Sequence, residues 1–276
     1  MAPPSAPARS CEMGGSQSQG LTPGWDPAKY LEFAGHRLRP ALDLLGRVPA
    51  TSPAVVHDLG CGAGNVTRLL RERWPGAAVT GVDGSAAMLD AARAVAPDVT
   101  WVLADIGTWR GPRPADVVFS NAALHWLDDH RGLLPRLIAG LAPGGVLAVQ
   151  MPRNHGAPSH TEMVAAAETG PWRERLRPAL RARPVGEPTV YHDILAPHTS
   201  RIDIWETEYL HALDGDNPVV EWTRGSALKP LLDRLEEPER SGFLAEYSAR
   251  IVRAYPPRPD GRTLFPFRRL FIVAVR

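Results

Sequence analysis

The stretch Asp58-Leu59-Gly60-Cys61-Gly62-Ala63-Gly64-Asn65 holds the residue types best suited to grip a small ligand. Glycines at a strand-to-helix turn let a ligand touch the backbone, and the helix N-terminus presents oriented N–H groups to it. The spacing is Gly-x-Gly-x-Gly, and Asn65 stands where the dinucleotide fingerprint Gly-x-Gly-x-x-Gly has its third glycine. That counts against NAD or FAD. No Gly-Lys-Ser/Thr follows, which excludes a P-loop. Three further polar residues close the strands that come next. Asp83 can take both hydroxyls of a ribose, Asp105 can accept from the exocyclic amine of an adenine, and Asn121 lies beside the crevice. One such residue is an ordinary turn former. In an open α/β sheet, however, all these strand ends share one edge, where ligands bind.

The elements that must position these residues are legible from periodicity. Strands are expected at 54–59, 77–82, 99–104, 115–119 and 146–151, alternating with helices. One helix begins just after the glycine loop, and Ser85 caps another over 86–95. A third runs from about His130 to Leu141. Alternation of this kind implies a Rossmann-like, mostly parallel sheet with helices on both faces. After Met151 the regularity breaks. Ser159-x-x-Glu162 reads as a capping box, Arg201–Leu210 as a sixth strand, and Asn217-Pro218 as a helix start. Phe243, Tyr247, Ile251 and Tyr255 form one helical stripe, and Leu270–Val275 reads as a seventh strand. Residues 1–24, rich in Pro, Ser, Gly and Gln, are expected to be disordered. Residues 25–276 form one domain, with a cofactor-binding core at about 54–151 and substrate-cap insertions at about 152–200 and 214–256.

Composition narrows the function. The chain has 276 residues, 44% hydrophobic and 22% charged, the profile of a globular protein with a sizeable core. A formal net charge of +1 gives no basic field for nucleic acid. No apolar run approaches the ~20 residues that span a bilayer. Only Lys29 and Lys229 are lysine, so the basic complement is almost wholly arginine, as expected from a GC-rich bacterial genome. Two cysteines, Cys11 and Cys61, make no disulfide framework and no metal spacing, which points to the cytoplasm.

The motifs Asp58-x-Gly60-x-Gly62-x-Gly64, Asp83 and Asp105-Ile106 resemble those of class I S-adenosylmethionine-dependent methyltransferases. The resemblance covers roughly Val55–Val149 and implies S-adenosylmethionine as cofactor. A narrower likeness runs from Trp25 to the C-terminus. It is carried by Trp25-Asp-Pro-x-x-Tyr30-x-x-Phe33, Arg37-x-Arg39-Pro40, Asn121-Ala-x-Leu-x-Trp126-Leu-x-Asp-His130, Val149-Gln-Met-Pro-x-Asn154, Tyr191-x-Asp-Ile194 and Arg269-Leu-Phe-Ile-Val-Ala274. In this order they are similar to the trans-aconitate 2-methyltransferase family. That likeness implies monomethylation of a tricarboxylate, an antiparallel last strand, and Tyr30 among the cofactor-binding residues.

Chemistry sets what such an enzyme needs. A carboxylate with a pKa near ~4 is ionised at neutral pH, so its methylation requires no general base. It requires in-line positioning and donors that offset desolvation of a polyanion. The candidate substrate-positioning residues are Arg269, expected just before the last strand, Arg153, Asn154, His125, Tyr191 and Arg39. Nothing in the sequence fixes an oligomeric state. Two other readings remain open at this level: methyl transfer to a different small molecule, and a non-catalytic S-adenosylmethionine-binding protein.

Overall fold

The structure is a computed structural model that describes residues 34–180 and 184–276. Tyr30, the Trp25–Phe33 motif and the 1–24 segment lie outside the described residues. Helix α1 (Ala34–Leu45) leads into β1 (Val55–Leu59), the glycine loop and α2 (Asn65–Arg73). There follow β2 (Ala78–Asp83), α3 (Ala86–Val95), β3 (Thr100–Leu103), β4 (Ala115–Asn121), α4 (His130–Ala139) and β5 (Leu141–Pro152). Ser85 caps α3 as expected, its hydroxyl accepting from Met88 N at 3.3 Å. Every residue of β1 is buried, because the strand sits in mid-sheet with a layer of helices over each face.

The second half carries helices α5 (Pro158–Thr169), α6 (Arg173–Leu176) and α7 (Pro188–Leu195), then strand β6 (Arg201–Leu213). Helices α8 (Pro218–Arg224), α9 (Lys229–Leu232) and α10 (Glu239–Ala254) precede the final strand β7 (Thr263–Val275). The seven strands lie in the order β3-β2-β1-β4-β5-β7-β6. Neighbours from β3 to β5 are parallel, while β7 runs antiparallel to both β5 and β6.

Three elements differ from the sequence expectation. The last strand begins seven residues before Leu270, at Thr263, so Arg269 lies inside it, opposite Pro152 and Thr207. Its first half alternates buried Phe265 and Phe267 with outward Pro266 and Arg268; the proline and the arginine pair masked that period. Strand β5 likewise starts at Leu141, and a register shift opposite Ala115–Val117 absorbs Pro143-Gly144-Gly145. The capping box does not form. Ala157 is the N-cap of α5 and Pro158 its first residue; Ser159 is buried within the first turn, and Glu162 pairs instead with Arg250 at 3.2 Å.

Burial divides into three clusters. One packs α4 and α7 on one sheet face, including Leu59, Leu134, Val149, Leu195 and Ile272. Another packs α1 and α2 on the opposite face, including Leu44, Val56, Leu70, Phe119 and Phe271. The third joins α5, α8 and α10 to the first half of β7 through Trp172, Trp222, Phe243, Phe265 and Phe267. Strand β7 therefore leaves the sheet core and enters a second core above the carboxyl edge.

Candidate active site

The glycine loop runs between β1 and α2 at that edge. Gly60, Gly62 and Gly64 all have positive φ, at 73°, 54° and 81°. At Gly60 a Cβ would lie 2.1 Å from Ala123 Cβ, so the loop backbone is pressed against the segment after β4. At Gly62 a Cβ would meet nothing within 4 Å. The first glycine is needed for packing, whereas the second faces open space and keeps it open. Asp83 organises the loop from the next strand: Oδ2 accepts from Gly62 N at 2.8 Å and Oδ1 from Ser85 N at 2.9 Å. Burial raises the Asp83 pKa, and these backbone N–H donors oppose that rise.

Asp58 is 1% exposed. Its Oδ2 accepts from Thr67 Oγ1 at 2.6 Å, and burial pushes its pKa up to about 7 against that hydrogen bond. Among the described residues, Asp58 Oδ1 and Asn121 Oδ1 are buried without a hydrogen-bond partner. Unsatisfied buried acceptors are costly, and two of them beside an open glycine turn fit a ligand that brings donors. Ile106 comes within 3.6 Å of where a Gly60 Cβ would stand. Asp105 is exposed, and its carboxylate accepts from Gly107 N at 2.8 Å, so it also shapes its own turn. Burial pushes the Cys61 thiol up, which keeps it protonated and unreactive. Among the described residues no group of three or more His, Cys, Asp or Glu is placed to hold a metal, and no helix is long and apolar enough to cross a membrane.

A cavity of about 190 Å³ opens beside this loop, under the third cluster. Ala122, His125, Trp126, Pro152 and Arg269 line it from the sheet edge; His155 and His160 line it from the start of α5. Ala122 has φ 53°, a left-handed alanine whose N donates to Gln150 O at 2.9 Å. Such a conformation costs on the order of 1 kcal/mol and persists where surroundings impose it. The His125 ring packs at a 38° tilt against Trp126, with ring centroids 4.9 Å apart.

Arg269 is 4% exposed. Its guanidinium lies 4.6 Å from the Phe267 ring centre and donates to Gln150 Oε1 at 3.4 Å. Register explains the grouping. Asn121 pairs with Gln150 on β5, and Gln150 pairs with Phe271, two residues from Arg269 on the same face of β7. A polar ridge of Asn121, Gln150 and Arg269 thus crosses three strands.

The other expected substrate contacts lie elsewhere. Arg153 is gripped by Glu206 and by Glu187, the latter at 2.9 Å, and these carboxylates raise its pKa. It lines a separate groove on the other side of β7, not the cavity. Asn154 is buried and structural: Nδ2 donates to Ser159 Oγ at 3.2 Å, and Oδ1 accepts from Arg268 N at 3.2 Å. Tyr191 is buried with its hydroxyl on His130 Nδ1 at 2.8 Å and Gly186 N at 3.1 Å. Arg39 is exposed, 3.9 Å from Asp43 and over the Tyr209 ring. Arg153 and Asn154 are expected at the site because they follow the fifth strand, Arg39 because it lies in the N-terminal cover, and Tyr191 because it lies in the insertion. Asn154 and Tyr191 turn into the interior, and Arg153 and Arg39 lie against other carboxylates, so none of the four lines the cavity. Gln150 and His160 were missed; a lone amide inside the apolar run Val146–Met151 was a readable signal for the first.

A family model described as a methyltransferase domain matches residues 56–145. Together with the strand order, the reversed β7 and the three-glycine loop, this defines the class: a Rossmann-like methyltransferase domain. The fold is shared with Haemonchus contortus phosphoethanolamine N-methyltransferase 2 in complex with S-adenosyl-L-methionine. That structure is 20% identical with a TM-score of 0.51, over 86% of this chain and 52% of that one. Trans-aconitate 2-methyltransferase of Azoarcus sp. strain BH72 is 52% identical over 92% of this chain and 100% of its own length. The enzyme of the same name from Rhodopseudomonas palustris strain BisB18 is 48% identical over 91% and 99%. The chain belongs to the trans-aconitate 2-methyltransferase family.

Proposed function

We propose that this protein transfers a methyl group from S-adenosylmethionine to a carboxylate of trans-aconitate, giving the monomethyl ester and S-adenosylhomocysteine. The observation that carries this reading is Arg269, a buried guanidinium lining the cavity beside a cofactor-type glycine loop. A cation so placed favours an anionic acceptor and discriminates against a neutral one. S-adenosylmethionine supplies the electrophilic methyl group. On the protein side, Asp58 and Asn121 offer acceptors to the cofactor's donors, and Asp83 is the acid for its ribose. Gln150 and Phe267 hold Arg269 so that it orients the nucleophilic carboxylate. The apolar cap formed from 152–200 and 214–256 excludes water. No residue need take a proton, because the nucleophile is already ionised. The relatives of the same family name come from bacteria, which supports action in a bacterial cell, with the cytoplasm as the proposed compartment.

The test is incubation with methyl-labelled S-adenosylmethionine and trans-aconitate, cis-aconitate, citrate or isocitrate. The expected product is a base-labile methyl ester, formed chiefly from trans-aconitate. Tight binding of S-adenosylhomocysteine with no turnover on any carboxylate would overturn the reading.

A further inference from the structure

Few atoms on the cavity wall can meet an anion. The Thr223 hydroxyl is directed at the Val219 and Val220 carbonyls, at 3.0 and 2.9 Å, and the Ser226 hydroxyl lies 3.4 Å from the carbonyls of Trp222 and Thr223. Both hydroxyl protons are used within their own helical turns. Met163, Leu231 and Phe267 are apolar, and Trp222 offers only its indole N–H. Beyond Arg269, the donors that remain are ring nitrogens.

For His160 the surrounding hydrogen bonds fix which nitrogen carries the proton. Asn154 Oδ1 accepts from Arg268 N, so the amide Nδ2 points to Ser159 Oγ and donates to it. The buried Ser159 hydroxyl has no acceptor for its proton among the described residues other than His160 Nδ1, 3.1 Å away, and so donates there. Nδ1 is therefore an acceptor, and the proton resides on Nε2. Burial and the neighbouring His155 ring, 4.8 Å distant, hold the His160 pKa down to about 3, so the ring is neutral at neutral pH. His160 lines the cavity, and its Nε2–H has no acceptor among the described residues.

We propose that His160 is a specificity-determining residue whose Nε2–H binds a second carboxylate of the acceptor, alongside the one oriented by Arg269. The proposal rests on the carboxyl-methylation reading and deepens it. A neutral N–H suits this place better than a second arginine, because it binds a carboxylate without leaving an uncompensated buried charge when the cavity holds no acceptor. The same tautomer removes His160 from any role as a base at Nε2. Selection for a polycarboxylate then comes from two donors on different elements, one in β7 and one in α5, separated by apolar wall that suits an unsaturated carbon skeleton.

The test uses the full-length protein and two polar replacements. His160→Gln keeps an N–H near the Nε2 position. His160→Asn keeps a partner for Ser159 but withdraws the donor from the cavity. Acceptor KM and kcat are measured with trans-aconitate and with three dicarboxylates, mesaconate, cis-glutaconate and itaconate, each lacking a different one of its three carboxylates. S-adenosylhomocysteine affinity is measured in parallel. We expect His160→Asn to raise the trans-aconitate KM about tenfold or more, the usual effect of losing a hydrogen bond to a charged group. His160→Gln should stay near wild type, and cofactor affinity should not move in either variant. With the dicarboxylate that lacks the group held by His160, wild type and His160→Asn should perform alike. Equal losses on all four acceptors, lost cofactor affinity, or an unchanged trans-aconitate KM would each overturn the assignment. Calorimetric titration of trans-aconitate into the protein–S-adenosylhomocysteine complex reads the contact without turnover. Weaker binding by His160→Asn in a protein that does not methylate trans-aconitate would sustain this inference and defeat the carboxyl-methylation reading; no binding by wild type would defeat both.

Discussion

At the scale of single residues, Gly60 and Gly62 make opposite demands, one for packing and one for open space. Gly62→Ala puts a methyl group into open space at φ 54°. The backbone strain should cost about 1 kcal/mol, a drop of a few degrees in Tm. S-adenosylhomocysteine affinity should fall about tenfold or more, because the methyl group enters the space kept for the ligand. Arg269→Ala should do the reverse at the site, raising acceptor KM or lowering kcat while cofactor affinity holds. Isothermal titration and steady-state kinetics on both variants check this; loss of cofactor affinity in Arg269→Ala would remove its assigned role. The loop was legible in the sequence because its glycines and acids are contiguous. Arg153 and Arg269 were indistinguishable there, since each flanks an apolar strand. Glu187 and Glu206, which claim Arg153, come from distant segments, and only their pairing in space tells the two arginines apart.

At the scale of elements, the strand and helix order was readable from periodicity, and α3 with its Ser85 cap agreed in detail. What escaped was the length of β7. A strand interrupted by Pro266 and two arginines has no clean period, and its partner β6 is a long edge strand whose solvent side is polar. That extension is what carries Arg269 under the cap. Phe265 and Phe267 are both buried in the cap cluster, but Arg269 lies over Phe267. Phe265→Leu and Phe267→Leu should therefore lower stability by similar amounts, about 1–2 kcal/mol. Only Phe267→Leu should also raise acceptor KM, because it removes the ring face that fixes the guanidinium. Thermal melts paired with KM values separate the two effects; equal kinetic losses would show that the cap as a whole, not the ring, orients Arg269.

At the scale of the whole molecule, near-neutral net charge left electrostatics to the interior, and the interior holds opposed titrations. His57 and Asp58 are neighbours on β1, 2% and 1% exposed. Burial, together with Arg113, lowers the His57 pKa to about 4. Its contribution to stability is therefore complete above its ordinary value near 6.5 and is lost as pH falls through about 4. The Asp58 pKa is raised to about 7, so its contribution is complete below the ordinary carboxylate range and is lost as pH rises through about 7. Between about pH 4 and 7 the two slopes oppose each other. Asp58→Asn should raise Tm at pH 8 and leave it unchanged near pH 4, at the expense of cofactor affinity. His57→Leu should reduce the loss of Tm on acidification. Melts across that pH range check both signs, and parallel profiles for wild type and both variants would refute the account.

Strand β7 has one more consequence. Phe265 and Phe267 are fixed in the cap core, Phe271 and Val273 in the sheet core, and Arg269 stands at the joint. One continuous hydrogen-bonded strand cannot fray in the middle while both ends are anchored. The two cores should then open cooperatively, with the amides of residues 264–274, Pro266 aside, exchanging hydrogen as a single slow block. Ligands then enter the cavity over a floor that stays still, and any adjustment to their shape falls to the helices around it.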